Sequence, residues 1–185
     1  MRWAADVRRS SSENTPCPIV RGLDHVGEWW SMLILRDAFY GLSRFDDFQT
    51  SLGIAPNILS RRLTKLVEVG MLERRRYCNR PLRYDYVLTE RGRDFRPVLL
   101  AMMAWGNRHF ADEGQAIELV DRQTGHVVEP QLIDRHTGEP ITRERHEMRA
   151  GPAASERMKA RIAFRNSRAL ARQTLSDPNL PESLP

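Results

Sequence analysis

The stretch from Gly53 to Leu88, GIAPNILSRRLTKLVEVG followed by MLERRRYCNRPLRYDYVL, restricts the possible folds more than any other part of the chain. Its first half reads as a helix. Pro56 suits the first helical position, where a missing N–H costs nothing, and Gly70 suits the residue just past the end. Leu59, Leu63, Leu66 and Val67 recur at helical spacing and make one apolar stripe. Asn57, Arg61, Thr64 and Glu68 lie opposite, with Ser60 and Lys65 on the flanks. The second half changes period: Tyr84, Tyr86 and Leu88 alternate with Arg83, Asp85 and Val87, as in a strand. Met71 to Cys78 is its partner, and Asn79-Arg80-Pro81-Leu82 is the turn between them. A helix with an apolar back and a hydrogen-bonding front, followed at once by an arginine-rich hairpin, predicts a recognition helix and its wing.

An ordinary amphipathic helix with a solvated basic face is the plainer alternative, and the distribution of charge argues against it. Residues 54–93 hold ten Lys or Arg against four Asp or Glu, a net of +6, while the whole chain is +5. The net excess is therefore local. A basic surface confined to one helix and one hairpin is the electrostatic footprint of DNA binding.

The rest of the composition sets bounds. A chain of 185 residues suits one domain with appendages, or one and a half. The pI near 9.7 favours a nucleic-acid or acidic-surface partner. No run of eighteen apolar residues occurs, so no membrane span is expected. The opening MRWAADVRRSSSENTP lacks the apolar centre of a secretory signal. Two cysteines, Cys17 and Cys78, are too few for a disulfide framework and fit a reducing compartment. A cytoplasmic protein is the expectation. Neither a nucleophile with its base, nor a phosphate-cradling glycine loop, nor a metal cluster is recognisable, so neither an enzyme nor a cofactor is expected.

The remaining elements frame this stretch. Residues 1–16 read as a mobile arm. Cys17 to His25 begins a first helix with Ile19, Val20, Leu23 and Val26 on one side, ended by Gly27. Glu28 to Tyr40 (EWWSMLILRDAFY) is apolar nearly all round, as a buried central helix is. Arg44 to Leu52 is a short third helix with Phe45, Phe48 and Leu52 inward, closed by Gly53. Helix, short glycine turn, helix is helix-turn-helix spacing. After the wing, Thr89 is an N-cap candidate, and Pro97 divides a first turn from a longer helix ending at Phe110. Val98, Leu99, Met102, Trp105 and Phe110 give that helix a broad apolar face, which predicts a dimer interface.

Together these motifs resemble the HxlR family of bacterial transcription regulators, winged-helix proteins related in architecture to the MarR group. The resemblance covers Cys17 to about Glu113. It rests on Cys-Pro, Trp-Ser-Met-Leu-Ile-Leu-Arg, Arg-Phe-Asp-Asp-Phe, Leu-Ser-Arg-Arg-Leu and Tyr-Val-Leu-Thr-Glu-Arg-Gly. One departure is Ala55, where relatives often carry a capping residue. The resemblance implies a mainly α fold with a small β wing, a winged helix-turn-helix. It also implies a homodimer formed by the first and last helices of the domain and bound to an inverted-repeat operator. Each recognition helix would enter a major groove while the wing tracks the adjoining minor groove. Asn57, Ser60, Arg61 and Lys65 take the groove-facing places. Arg61 can fork onto guanine and Asn57 onto adenine, with Ser60 and Lys65 on phosphate. Arg80 and Arg83 at the wing tip suit a narrow minor groove. A winged-helix interaction module that no longer binds DNA is the alternative, which the retained basic surface argues against.

Past the domain, Asp121-Arg-Gln-Thr-Gly125 and Asp134-Arg-His-Thr-Gly138 form an internal repeat of tight knuckles. Some HxlR relatives carry a small β extension here with cysteine knuckles. This chain has Asp121, Thr124, Asp134 and Thr137 in those places, so 117–144 reads as a degenerate zinc ribbon without a metal. His126 and His136 could join the two aspartates at an ion, but structural zinc sites overwhelmingly use thiolates or several imidazoles. Residues 145–185 read as a basic helix followed by a disordered end. Two controls on DNA binding stay open. Some family members sense oxidants through the cysteine matching Cys17, and a helix dipole favours thiolate at such a position; a packed interfacial cysteine is the other reading. A small-molecule effector could instead sit near Trp29, Trp30, Met103 or Trp105, though such aromatics are more often plain core.

Overall fold

The computed structural model describes residues 17–175, with side chains to residue 168. The expected N-terminal arm (1–16) and the expected disordered end (176–185) lie outside the described residues. The elements are α1 (Pro18–Val26), α2 (Trp29–Phe39), α3 (Phe45–Leu52), α4 (Pro56–Glu68), β1 (Leu72–Asn79), β2 (Leu82–Leu88), α5 (Glu90–Arg93), α6 (Arg96–His109) and α7 (Glu156–Leu175). The described residues divide into two compact units, one spanning Gly22–Ile141 and the other combining residues 17–21 with 142–175.

The core of the first unit follows from the apolar spacing of its helices. Ile34 and Leu35 of α2, Phe48 of α3, Ile54 in the turn, and Leu59, Leu63 and Leu66 of α4 are buried together with Met71 and Leu72. Phe45, Leu52 and Val67 are partly buried against that cluster. Gly53 ends α3 at φ 58, a left-handed conformation that a side chain would disfavour, and so sets the turn between α3 and α4. Asp37, buried in α2, holds α3 in place. Its Oδ2 accepts from Ser51 Oγ at 2.7 Å, and its Oδ1 accepts from Arg36 Nε at 2.8 Å. The α2 segment is not wrapped in core on every side as its composition suggests, because Trp29 is 72% exposed.

The hairpin is antiparallel, with Leu72 opposite Leu88 and Asn79 opposite Leu82; the register shifts between Arg76 and Cys78, leaving Tyr77 in a bulge. A single bridge from Arg44 to Asp85 adds a third segment to its edge, beside the Tyr86 N–H bond to the Ser43 carbonyl at 2.7 Å. Ser43 Oγ also donates to Asp85 Oδ1 at 2.9 Å. Asp85, which alternates with Tyr84 and Tyr86 along the strand, thus fastens the wing to the turn before α3.

Thr89 caps the next turn as expected, its side chain accepting from Gly92 N–H at 3.0 Å. The chain breaks after Arg93 and resumes as α6, with Pro97 in its first turn, where a proline is tolerated.

Residues 117–141 hold two antiparallel bridges, Val120 to Val127 and Ile133 to Pro140, where a small β extension is expected; each is a single bridge and not an extended strand pair. Each knuckle also closes on its own aspartate. Asp121 Oδ1 accepts from the N–H groups of Gln123 and Thr124 at 2.9 and 2.8 Å and from Thr124 Oγ1 at 3.0 Å. Asp134 Oδ1 likewise accepts from His136 N–H at 2.9 Å. Outside each knuckle the backbone pairs as a minimal hairpin: Asp121 N–H donates to the His126 carbonyl at 2.9 Å and Val128 N–H to the Leu119 carbonyl at 2.7 Å, and Asp134 N–H to the Glu139 carbonyl and Ile141 N–H to the Leu132 carbonyl, each at 2.8 Å. In the second unit, α7 is the basic helix expected after Gly151-Pro152. No described helix is long and apolar enough to cross a membrane.

Candidate nucleic-acid interface

The front of α4 is assembled by burying its back. With Leu59, Leu63 and Leu66 fully buried, Asn57, Ser60, Arg61, Thr64, Lys65 and Glu68 are all exposed. Pro56 occupies the first turn, and the N-cap residue Ala55 makes no side-chain capping bond, as expected of alanine. Asn57 supplies part of what Ala55 lacks, its Oδ1 accepting from Ile58 N–H at 2.9 Å. Lys65 Nζ lies 3.6 Å from Glu68 Oε2, an exposed pair that DNA phosphate could displace at little cost.

Arg62 was not among the residues singled out from the sequence. It turns away from the front of α4, and its Nη2 donates to Glu28 Oε2 at 2.9 Å with the side chain only 17% exposed. Helical spacing already separates it from Arg61, since Arg62 lies three residues from Leu59 and four from Leu66, at the border of the apolar stripe; its partner, from the start of α2, could not be read.

The wing sorts its arginines in the same way. Arg74 lies over the Tyr84 ring at 4.1 Å, and Arg75 pairs with Glu73. Arg83 is exposed at the tip, and a hydrogen bond with Tyr77, reinforced by charge attraction, raises its pKa further above the usual arginine range. Among the described residues, no carboxylate pairs with Arg61, Arg76 or Arg80. Arg76 is therefore a candidate contact that the sequence reading missed. The run of three arginines gave no means of choosing among them.

Three residues of the segment after β2 tie the wing back to α4. Thr89 Oγ1 donates to the Gly70 carbonyl at 2.6 Å, and Arg91 Nη1 donates to the Val69 carbonyl at 2.8 Å. Gly92 packs so closely that an added Cβ would lie 2.1 Å from the Met71 carbonyl oxygen. Arg93 Nη1 donates to the Leu88 carbonyl at 2.7 Å. Of the ten bases counted in this region, Arg62, Arg91 and Arg93 thus serve the fold, so the uncommitted basic surface is smaller than the net charge alone suggests.

The residues expected at a dimer interface lie on the surface of this single chain. No residue of α6 is buried; Val98, Met102, Trp105 and Phe110 are exposed, and Leu99 is partly buried against the core. Trp105 packs edge-on to Phe110 with ring centroids 4.8 Å apart. On α1, Ile19 and Leu23 are exposed as well. Cys17 is half-buried just ahead of α1. A groove of about 310 Å³ lies beside the wing, lined by residues that include Phe45, Tyr77, Arg83 and Tyr84. It does not involve Trp29, Trp30, Met103 or Trp105. Among the described residues no three His, Cys, Asp or Glu side chains are grouped to hold a metal.

Comparison with known proteins agrees with this geometry. A model of the HxlR-like helix-turn-helix matches residues 25–114. An uncharacterized HTH-type transcriptional regulator of Mycobacterium tuberculosis is 41% identical over 144 residues, covering 77% of this chain and 89% of that protein. The structure of PA1374, a candidate transcription factor from Pseudomonas aeruginosa, is 55% identical with a TM-score of 0.57, covering 79% of this chain and all of the other. That of PA1607, another candidate transcription factor, is 39% identical with a TM-score of 0.68 and covers 77% of this chain and all of the other. The matched family domain, the buried back of α4 and its wing agree: this chain belongs to the HxlR-like helix-turn-helix family of transcriptional regulators, which are not enzymes.

Proposed function

We propose that the chain acts in the cytoplasm as a homodimer that binds an inverted repeat in double-stranded DNA. The observation that carries this reading is the front of α4. Asn57, Ser60, Arg61 and Lys65 project from a helix whose opposite side is locked into the core, next to a wing that exposes Arg76, Arg80 and Arg83. Arg61 and Asn57 read base edges, Ser60 and Lys65 hold phosphates, and Arg80 and Arg83 enter the minor groove. Dimerisation uses α6 and α1, whose apolar side chains Ile19, Leu23, Val98, Met102, Trp105 and Phe110 are exposed in the single chain. A dimer would place its two α4 helices about 34–36 Å apart, one turn of B-DNA.

Binding-site selection from random duplexes, combined with sedimentation, tests both parts. A palindromic consensus and a dimer at micromolar concentration are expected; a monomer with unchanged DNA affinity overturns the dimer. Cys17 is the residue through which an oxidant would act on the α1 side of that dimer. If Cys17→Ser and the unaltered chain respond alike to diamide, the thiol is only structural.

A further inference from the structure

The helix α7 is not part of the winged domain, and its charge is unusual. From Arg157 to Leu175 there are six Lys or Arg and no Asp or Glu. A solvated helical face ordinarily mixes both signs, with acids three or four residues from bases. Here the bases are also aligned. Arg157, Arg161, Arg165 and Arg168 are separated by four, four and three residues, and all four are exposed. At about 100° and 1.5 Å per residue they fall within an arc of about 80° and extend about 16 Å along the helix. Met158 and Ile162 are half-buried and lie beside this stripe.

The single acid of the helix does not neutralise the row. Glu156 accepts from Lys159 Nζ at 2.7 Å, and both side chains project from other sides of the helix. Among the described residues no carboxylate pairs with Arg157, Arg161, Arg165 or Arg168. Arg168 lies over the Phe164 ring at 5.9 Å, which leaves its guanidinium edge open to a hydrogen-bond acceptor.

We propose that α7 is a second DNA-contacting element, whose arginine stripe binds backbone phosphates outside the stretch read by α4 and the wing. The inference rests on the DNA-binding reading above, because DNA held by the winged domain is the polyanion the tethered helix meets. Charge complementarity selects this occupant: a straight row of forked donors matches a row of phosphates and carries no base-reading residue. An anionic membrane surface is the competing occupant. It would need a wide apolar face on the helix, whereas Met158 and Ile162 are half-buried and the one large exposed apolar side chain by the stripe, Phe164, stands among the arginines with Arg168 over its ring.

The test uses the full chain and a variant with Arg157, Arg161, Arg165 and Arg168 all changed to Gln, a residue that preserves helix propensity. A second variant carries Lys at the same four positions. Affinity is measured against salt on a duplex obtained by selection, once trimmed to the consensus and once with about 15 base pairs added on each side. The Gln variant should lose on the order of tenfold or more in affinity on the long duplex only. Its log–log salt slope should flatten by roughly three to four units, about 0.9 for each lost phosphate contact. The Lys variant should restore most of the slope, and the preference for the selected sequence over a scrambled one should be unchanged in both. An unaltered slope in the Gln variant overturns the proposal, as does loss of binding to phosphatidylglycerol vesicles with no change on DNA. If the unaltered chain selects no duplex, the DNA-binding reading itself fails, and an Arg61→Ala variant that loses sequence preference while α7 variants do not keeps the two failures apart.

Discussion

Arg62 Nη2 donates to Glu28 Oε2 at 2.9 Å, joining the middle of α4 to the residue that precedes α2. The buried leucines set the rotation of α4 about its own axis, and this contact adds a polar tie at the border of that apolar stripe. The Arg62 Nε is buried without a partner, so the site depends on its one ionic contact. Arg62→Ala should destabilise the domain by about 1–3 kcal/mol, measured by urea unfolding. Removing a groove-facing arginine should leave the unfolding midpoint unchanged; an equal shift for Arg61→Ala and Arg62→Ala would refute the division of roles.

Arg61 and Lys65 should separate in a salt titration. Loss of a forked base contact at Arg61→Ala should cost about 1–3 kcal/mol on the selected duplex and relax preference at one position. Lys65→Ala should weaken selected and scrambled duplexes alike and flatten the salt slope by about one unit. Equal losses for both variants on both duplexes would remove Arg61 from base reading.

Gly92→Ala places a methyl group 2.1 Å from the Met71 carbonyl oxygen and 3.0 Å from Leu88 Cδ2. Neither the backbone of Met71 nor the core beneath it can yield readily. The expected outcome is a loss of about 1–3 kcal/mol in stability together with weaker DNA binding. Retention of both in thermal melts and binding assays would show that α5 can move away from β1.

The Asp121 carboxyl is held below its ordinary range, first by the Thr124 N–H, then by the Thr124 hydroxyl and the Gln123 N–H. A carboxyl whose pKa is lower in the folded state stabilises above the unfolded value, and that contribution is lost as pH falls through the folded one. The knuckle at 121–125 should therefore be intact at neutral pH and open in the acid range below the usual aspartate value. Carbon-detected NMR titration of Asp121 checks this directly. A midpoint at or above the ordinary aspartate value would contradict the hydrogen-bonded geometry.

How far the sequence was legible depended on how local each cause is. The α4 helix could be read because Pro56, the leucine spacing and Gly70 all act within the element. The break before α6 followed from Thr89 and Pro97 for the same reason. The partner of Arg62 could not be read, since Glu28 is 34 positions away in the chain. The fastening of the wing through Asp85 was hidden likewise, because its partner Ser43 is 42 positions away. In the segment 117–141, knuckles were legible from the Asp-to-Gly spacing, while the shortness of the pairing on either side of them was not. The candidate contacts on α4 and the wing were chosen on residue type and exposure, and only the fold could show that Arg76 is free while Arg74 and Arg75 are engaged.

Thr89, Arg91 and Gly92 rivet the outgoing end of the wing to the end of α4, so hairpin and helix form a caliper of fixed opening. A caliper cannot follow one groove while ignoring the other. A base change that shifts the minor groove under the wing tip would lever α4 out of register, even where α4 touches none of the altered bases. Substitutions in operator flank and centre should then combine non-additively, and the stiffness of this junction, more than any single contact, would set how much DNA distortion the protein tolerates.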